Sequence, residues 1–142
     1  MPAVLFVCLG NICRSPAAEA VFRARAPADW TADSAGTGAW HVGKPPYGPM
    51  QTAARARGYD LSPLRARQLS DRDFHRFDLI LGMDGENLAD LRRAAPADAP
   101  AHLVPFLPGQ DIPDPYYTGD FETALDLIEH GTSRLLADLP RP

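Results

Sequence analysis

The two cysteines of this chain, Cys8 and Cys13, stand within one stretch, VLFVCLGNICRSP, residues 4–16, with Arg14 and Ser15 directly behind the second. A cysteine placed there is an inert small hydrophobe or a nucleophile, and the flanking residues bear on the choice. Val4–Val7 is short, apolar and β-rich, which reads as a buried strand. Ser15-Pro16 reads as an N-cap followed by proline at the first helical position, where its missing N–H costs nothing. The loop between them therefore joins a strand to a helix N-terminus, whose unpaired N–H groups and partial positive charge favour anions. Gly10 removes a Cβ where backbone must approach a ligand, and Asn11 tolerates a left-handed conformation. Successive N–H groups through Leu9, Gly10, Asn11, Ile12, Cys13, Arg14 and Ser15 then form a nest for a tetrahedral oxyanion such as phosphate. Arg14 adds a planar fork that matches two of its oxygens. A thiol at the base of such a nest is favoured as thiolate, and the Ser15 hydroxyl is within sequence reach to donate to the sulfur. Cys-x5-Arg alone is a weak signal. The ordered string of strand, Cys8, Gly10, Asn11, Arg14, Ser15 and Pro16 is a much stronger one.

The bulk composition narrows the classes. At 142 residues, 45% apolar and 23% charged, the chain has the make-up of a globular protein. It is expected to form one domain over residues 1–142. The net charge is -4 with no basic run, so nothing points to nucleic acid. Two cysteines make no disulfide framework, and Cys8-x4-Cys13 lacks the second ligand pair of a structural zinc site. His41, His75, His102 and His130 are scattered without ligand spacing and read as surface or capping residues, so no metal or other cofactor is expected. The expected compartment is reducing and cytoplasmic. The N-terminal apolar run of about six residues is too short for a signal peptide or a membrane span.

Strand-like runs recur at Ala3–Cys8, Thr31–Ala35, Phe77–Met83 and, weakly, His102–Phe106. Helical spacing lies between them. The first helix shows Ala18, Val21 and Phe22 on one face, and a second covers Pro49–Arg57 and stops at Gly58. A third opens at Asp84 or Glu86 and runs through Leu88 and Leu91. The last carries Phe121, Ala124, Leu125, Ile128, Leu135, Leu136 and Leu139 on one stripe, with Gly131 weakening its middle. Strands alternating with helices predict an α/β domain of three layers, a four-stranded parallel sheet covered on both faces in flavodoxin-like doubly wound order. Ligands in such folds sit at the carboxyl edge of the sheet, where the loop beginning at Cys8 emerges.

The sequence resembles the low-molecular-weight protein tyrosine phosphatases nearly end to end. Besides VCLGNICRSP, the likeness includes DSAGT at Asp33–Thr37, ARQL at Ala66–Leu69, FDLILGMD at Phe77–Asp84 and DPYY at Asp114–Tyr117. The resemblance implies a two-step displacement on tyrosine-phosphorylated proteins. Cys8 attacks phosphorus, Arg14 and the loop hold the oxygens, and Asp114 serves as general acid and then base. It implies a deep slot for an aromatic phosphate walled by Leu9, Ile12, Trp40 and Tyr116, although Trp40 and Tyr116 also suit a core. Threonine at the place of Ile12 marks relatives that act on phosphoarginine, so isoleucine favours tyrosine. It further implies that Cys8 and Cys13 can form a reversible protective disulfide, to which small-residue packing at Cys13 is the alternative. The tandem Tyr116-Tyr117 is a phosphorylation target in some relatives. A monomer or weak dimer is expected, with no membrane partner.

Two departures stand out. Leu64 occupies the place of a histidine that braces the phosphate loop in many relatives, with Ser34 and Asp84 matching other supporting positions. Tyr47-Gly48-Pro49 replaces an aspartate-containing turn beside the pocket. Two rival functions share parts of the pattern. An arsenate reductase of the thioredoxin-coupled type needs two further cysteines, and none follows Cys13. A non-catalytic phosphotyrosine-binding module would use Arg14 and the nest but has no need of both Cys8 and Asp114. A metal protein using Cys8, Cys13 and some of the histidines is a third, weaker alternative.

Overall fold

The computed structural model describes residues 3–139. Four strands form one sheet: β1 (Ala3–Cys8), β2 (Thr31–Gly36), β3 (Leu79–Gly82) and β4 (His102–Pro105). All pairings are parallel and the spatial order is β2-β1-β3-β4. The doubly wound order expected from the alternation is thus the observed one, and β1 lies in the interior. Cys8 pairs with Gly36 at the end of β2, and Val7 with Gly82 at the end of β3. The carboxyl ends of three strands therefore lie level, and their loops leave from one edge.

The alternation within β1 sorts the two faces. Val4, Phe6 and Cys8 point into a core with α1 (Arg14–Arg25), α2 (Gly48–Ala56) and α6 (Phe121–Asp138). Leu5 and Val7 point the other way, to Phe74 of α3 (Asp73–Arg76) and to Leu88 and Leu91 of α4 (Gly85–Ala94). Because every residue from Val4 to Val7 is fully buried, β1 is an apolar run and not a half-polar strand. A last short helix, α5 (Pro115–Thr118), precedes α6.

Several boundaries differ from the sequence expectation. α1 begins at Arg14 with Cys13 as its cap and no side-chain capping bond, so Ser15 and Pro16 lie inside the first turn. The Ser15 hydroxyl is used elsewhere, as described below. β3 is confined to Leu79–Gly82 because Phe77 caps α3, a short helix that the periodicity does not show. Asp84, and not Glu86, caps α4, accepting from the Asn87 N–H. Gly131 is a requirement and no mere weakness: a Cβ there would lie 2.3 Å from the Phe106 ring.

Candidate active site

The segments that follow β1, β2 and β4 line one pocket. Cys8, the last residue of β1, lies at its base. Leu9, Gly10, Ile12 and Cys13 follow from the same loop, Trp40 and His41 come from the segment after β2, and Asp114, Tyr116 and Tyr117 from the segment after β4. The cavity holds about 360 Å³, the size of a small aromatic ligand. Its outer wall is aromatic. Trp40 is 70% exposed and Tyr116 43%, so both are rim residues and neither belongs to the core. The Trp40 ring folds back over Gly38, where a Cβ would stand 1.9 Å from it.

The loop conformation is set by named bonds. Asn11 takes the left-handed region, φ 57°, a place that asparagine accepts better than most residues. Its side-chain oxygen accepts from the Arg67 backbone N–H at 2.9 Å, and its amide donates to Ser15 Oγ at 2.8 Å. Ser15 Oγ in turn lies 3.0 Å from Cys8 Sγ. Among the described residues, no protein partner is found for the backbone N–H groups from Gly10 to Ser15, which leaves them available to an anion. Arg67 is itself anchored, with two bonds of 3.0 Å to Asp73 and others to Asp33.

Arg14 is 2% exposed and held from three sides. Its Nη1 donates to Asp84 Oδ2 at 2.7 Å and to the Ile112 carbonyl at 2.8 Å, and its Nη2 to Asp114 Oδ2 at 3.3 Å. Nε is buried without a protein partner, so one donor of the fork is left over. Burial opposes the charge, but Cys8 and the carboxylates of Asp84 and Asp114 outweigh it and raise the Arg14 pKa above its ordinary value. Asp114 Oδ1 accepts from the Tyr116 N–H at 3.1 Å, which makes Asp114 the cap of α5.

The two cysteines differ. Both thiols are free, but burial, followed by the negative field of Asp114 and Cys8, pushes the Cys13 thiol far above its ordinary range. Cys13 has no bond like that between Cys8 and Ser15.

A family model for low molecular weight phosphotyrosine protein phosphatases matches residues 3–142. The chain belongs to that family. It is 44% identical to the low molecular weight protein-tyrosine-phosphatase YfkJ of Bacillus subtilis, over 99% of this chain and 97% of the relative. The YfkJ crystal structure superposes with a TM-score of 0.88, covering 96% of this chain and 93% of that one. A low molecular weight protein tyrosine phosphatase from Streptococcus pyogenes gives a TM-score of 0.91 at 35% identity, over 99% and 95% of the two chains. The human low molecular weight phosphotyrosine protein phosphatase is 43% identical over 85% of each chain.

Within this family site, Leu64, Ser34 and Asp84 take different parts. Leu64 packs partly buried against the main core. Ser34 turns away from the phosphate loop and donates to Glu19 at 2.7 Å, so the brace of Asn11 is left to Ser15 and the Arg67 backbone. Asp84 does support the site, through Arg14. His41, expected at the surface or at a cap, belongs to the site instead. It lines the pocket beside Gly10, where an added Cβ would stand 3.0 Å from its Cδ2, and its ring centroid lies 6.0 Å from that of Tyr116. Its only sequence signal is its place next to Trp40 in a loop leaving the same sheet edge. His75, by contrast, lies near Asp98, away from the pocket. Among the described residues, no three His, Cys, Asp or Glu side chains gather as a metal site.

Proposed function

We propose that this chain hydrolyses aryl phosphate monoesters, with phosphotyrosine in proteins as the natural class, through a phosphocysteine at Cys8. The observation that carries the reading is that Cys8 and Asp114 line one pocket, with buried Arg14 bonded to Asp114 and Cys8 Sγ 3.0 Å from Ser15 Oγ. The Cys8 thiolate attacks phosphorus and the bond to the aryl oxygen breaks. Asp114 gives its proton to the departing oxygen, while Arg14 and the loop N–H groups hold the other oxygens. Water then attacks phosphorus and Asp114 takes its proton. The S–P bond breaks and the Ser15 hydroxyl supports the returning thiolate.

Substrate length decides the class. With Cys8 at the base and aromatic residues at the rim, a phosphate carried on a phenol ring spans the pocket, whereas a phosphoserine would draw the peptide backbone into it. Ile12 in the wall gives an apolar surface suited to that ring. Chemistry at a reduced thiol suits a cytoplasmic setting, and a net charge of -4 gives no attraction for nucleic acid. No helix among the described residues is long and apolar enough to cross a membrane. The proposed chemistry uses Cys8, Arg14 and Asp114 of a single chain, so a monomer suffices for it and a weak dimer is compatible with it.

The test is turnover of an aryl phosphate with EDTA present. Wild type is expected to turn over, Cys8→Ser to be inactive, and Asp114→Asn to lose roughly 10²–10⁴-fold on phenyl phosphate. A Cys8→Ser variant at the wild-type rate refutes the nucleophile. An inactive wild type that still binds inorganic phosphate replaces the enzyme with a binding module.

A further inference from the structure

The turn that carries Asp114 is too short to hold itself. α5 comprises Pro115–Thr118, and a single helical turn fixes several dihedrals for one hydrogen bond. Its placement comes from outside: Arg14 holds Asp114 and the Ile112 carbonyl from below, and on the outer side Tyr47 packs on Tyr116. The Tyr47 ring centroid lies 5.0 Å from that of Tyr116 and 6.1 Å from that of Phe121 at the start of α6. Its backbone N–H donates at 2.8 Å to the carbonyl of Ile12 in the phosphate loop, and its own carbonyl accepts from Gln51 as α2 begins. One residue thus touches the loop that holds Cys8, the turn that holds Asp114 and the helix after it.

Tyr47 does not itself line the pocket; its backbone N–H holds Ile12 whatever its side chain, and its ring meets the pocket through Tyr116. Tyr116 is the residue whose N–H holds Asp114 Oδ1. We propose that Tyr47 is a positioning residue that clamps the Asp114 turn against the phosphate loop, setting proton transfer to the leaving group and leaving phosphate capture untouched. The inference rests on Asp114 as the general acid. It has a chemical signature of its own: a misplaced acid slows only those substrates whose leaving group needs a proton, whereas a disturbed phosphate loop slows all of them.

The experiment compares kcat/KM, which reports transfer to Cys8, for phenyl phosphate and 2,4-dinitrophenyl phosphate in wild type, Tyr47→Phe, Tyr47→Ala and Asp114→Asn. Tyr47→Ala is expected to lose roughly tenfold more on phenyl phosphate than on the dinitrophenyl ester. Tyr47→Phe is expected to keep the wild-type ratio, since the hydroxyl has no partner among the described residues. Inhibition by inorganic phosphate should stay within about twofold of wild type in Tyr47→Ala, because the nest is intact. Equal losses on both esters, no loss, or weakened phosphate inhibition would overturn the positioning role while Asp114→Asn still shows selective loss. If Asp114→Asn shows no selectivity, the acid assignment falls and this inference with it. Should Tyr47→Ala fail to fold, Tyr47→Leu keeps the apolar bulk without the ring and carries the same expectation.

Discussion

At the scale of single residues, the hydrogen-bond inventory assigns Ser15 a direction. Asn11 donates to Ser15 Oγ at 2.8 Å, which occupies one of its acceptor positions and leaves its own proton for Cys8 Sγ, 3.0 Å away. In the proposed reaction a donor on that sulfur matters most when sulfur is the leaving group, in the second step. Ser15→Ala is therefore expected to lower kcat by about 10–100-fold, with a smaller effect on kcat/KM. Rapid-quench kinetics should show a phosphoenzyme that accumulates. A variant in which kcat/KM falls as far as kcat contradicts this, since both steps would then be affected. The same inventory separates the cysteines, for Cys13 is buried, lacks such a donor and is held as a neutral thiol. Cys8, Arg14, Ser15 and Asp114 were legible as types in order. His41 and Tyr47 were not, because a lone histidine or tyrosine in a loop carries no periodicity, and its role appears only when other strand ends come alongside.

At the scale of elements, intrinsic preference and packing disagree in α6. Alanine would improve helix propensity at Gly131 by about 1 kcal/mol. The Phe106 ring occupies the space an added Cβ would need, however, and Phe106 is itself 4% exposed and packed edge-on against Phe6. Overpacking of about 1–3 kcal/mol outweighs the propensity gain. Gly131→Ala is expected to lower stability in urea unfolding, and Gly131→Ala with Phe106→Leu to recover part of the loss. A stabilised single variant would refute the close approach. The sequence showed this helix by its apolar stripe, but it could not show that its glycine faces Phe106, just beyond β4. The start of α1 was misplaced for a related reason: Ser15 has the right chemistry for a cap, and only the neighbouring Asn11 and Cys8 show that the hydroxyl is already engaged.

At the scale of the whole molecule, two carboxylates tie elements together, Glu19 linking α1 to β2 and Glu129 linking α6 to α1, and they shift in opposite senses. Glu19, 2% exposed, accepts from Ser34 and pairs with Arg23, yet its burial dominates and raises its pKa above 4.5. Its contribution to stability is full below that ordinary value and is lost as pH rises through the raised one. Glu129 joins α6 to Arg25 of α1, to Arg57 and to Tyr59. Burial raises its pKa, but the bonds from Tyr59 and Arg57 and the charge of Arg25 together lower it. Its contribution is present above 4.5, its ordinary value, and lost as pH falls through the lowered one. In urea titrations from about pH 4 to pH 8, Glu19→Gln should gain on wild type as pH rises. A difference independent of pH excludes a buried charge cost at Glu19.

By itself, the sequence determined the alternating α/β order, the burial of β1, the family and the types of the candidate site residues. Those properties are local: a strand's apolar run, a loop's glycine and asparagine, a helix's stripe, and motifs in a set order. Only the tertiary structure decided that Ser34 serves Glu19, that Arg67 braces Asn11 through its backbone, and that Tyr47 joins the Cys8 and Asp114 segments. These depend on which strand ends lie side by side. The pairing of β1 with both β2 and β3 brings residues far apart in the chain to one edge, and no spacing in the sequence encodes that neighbourhood.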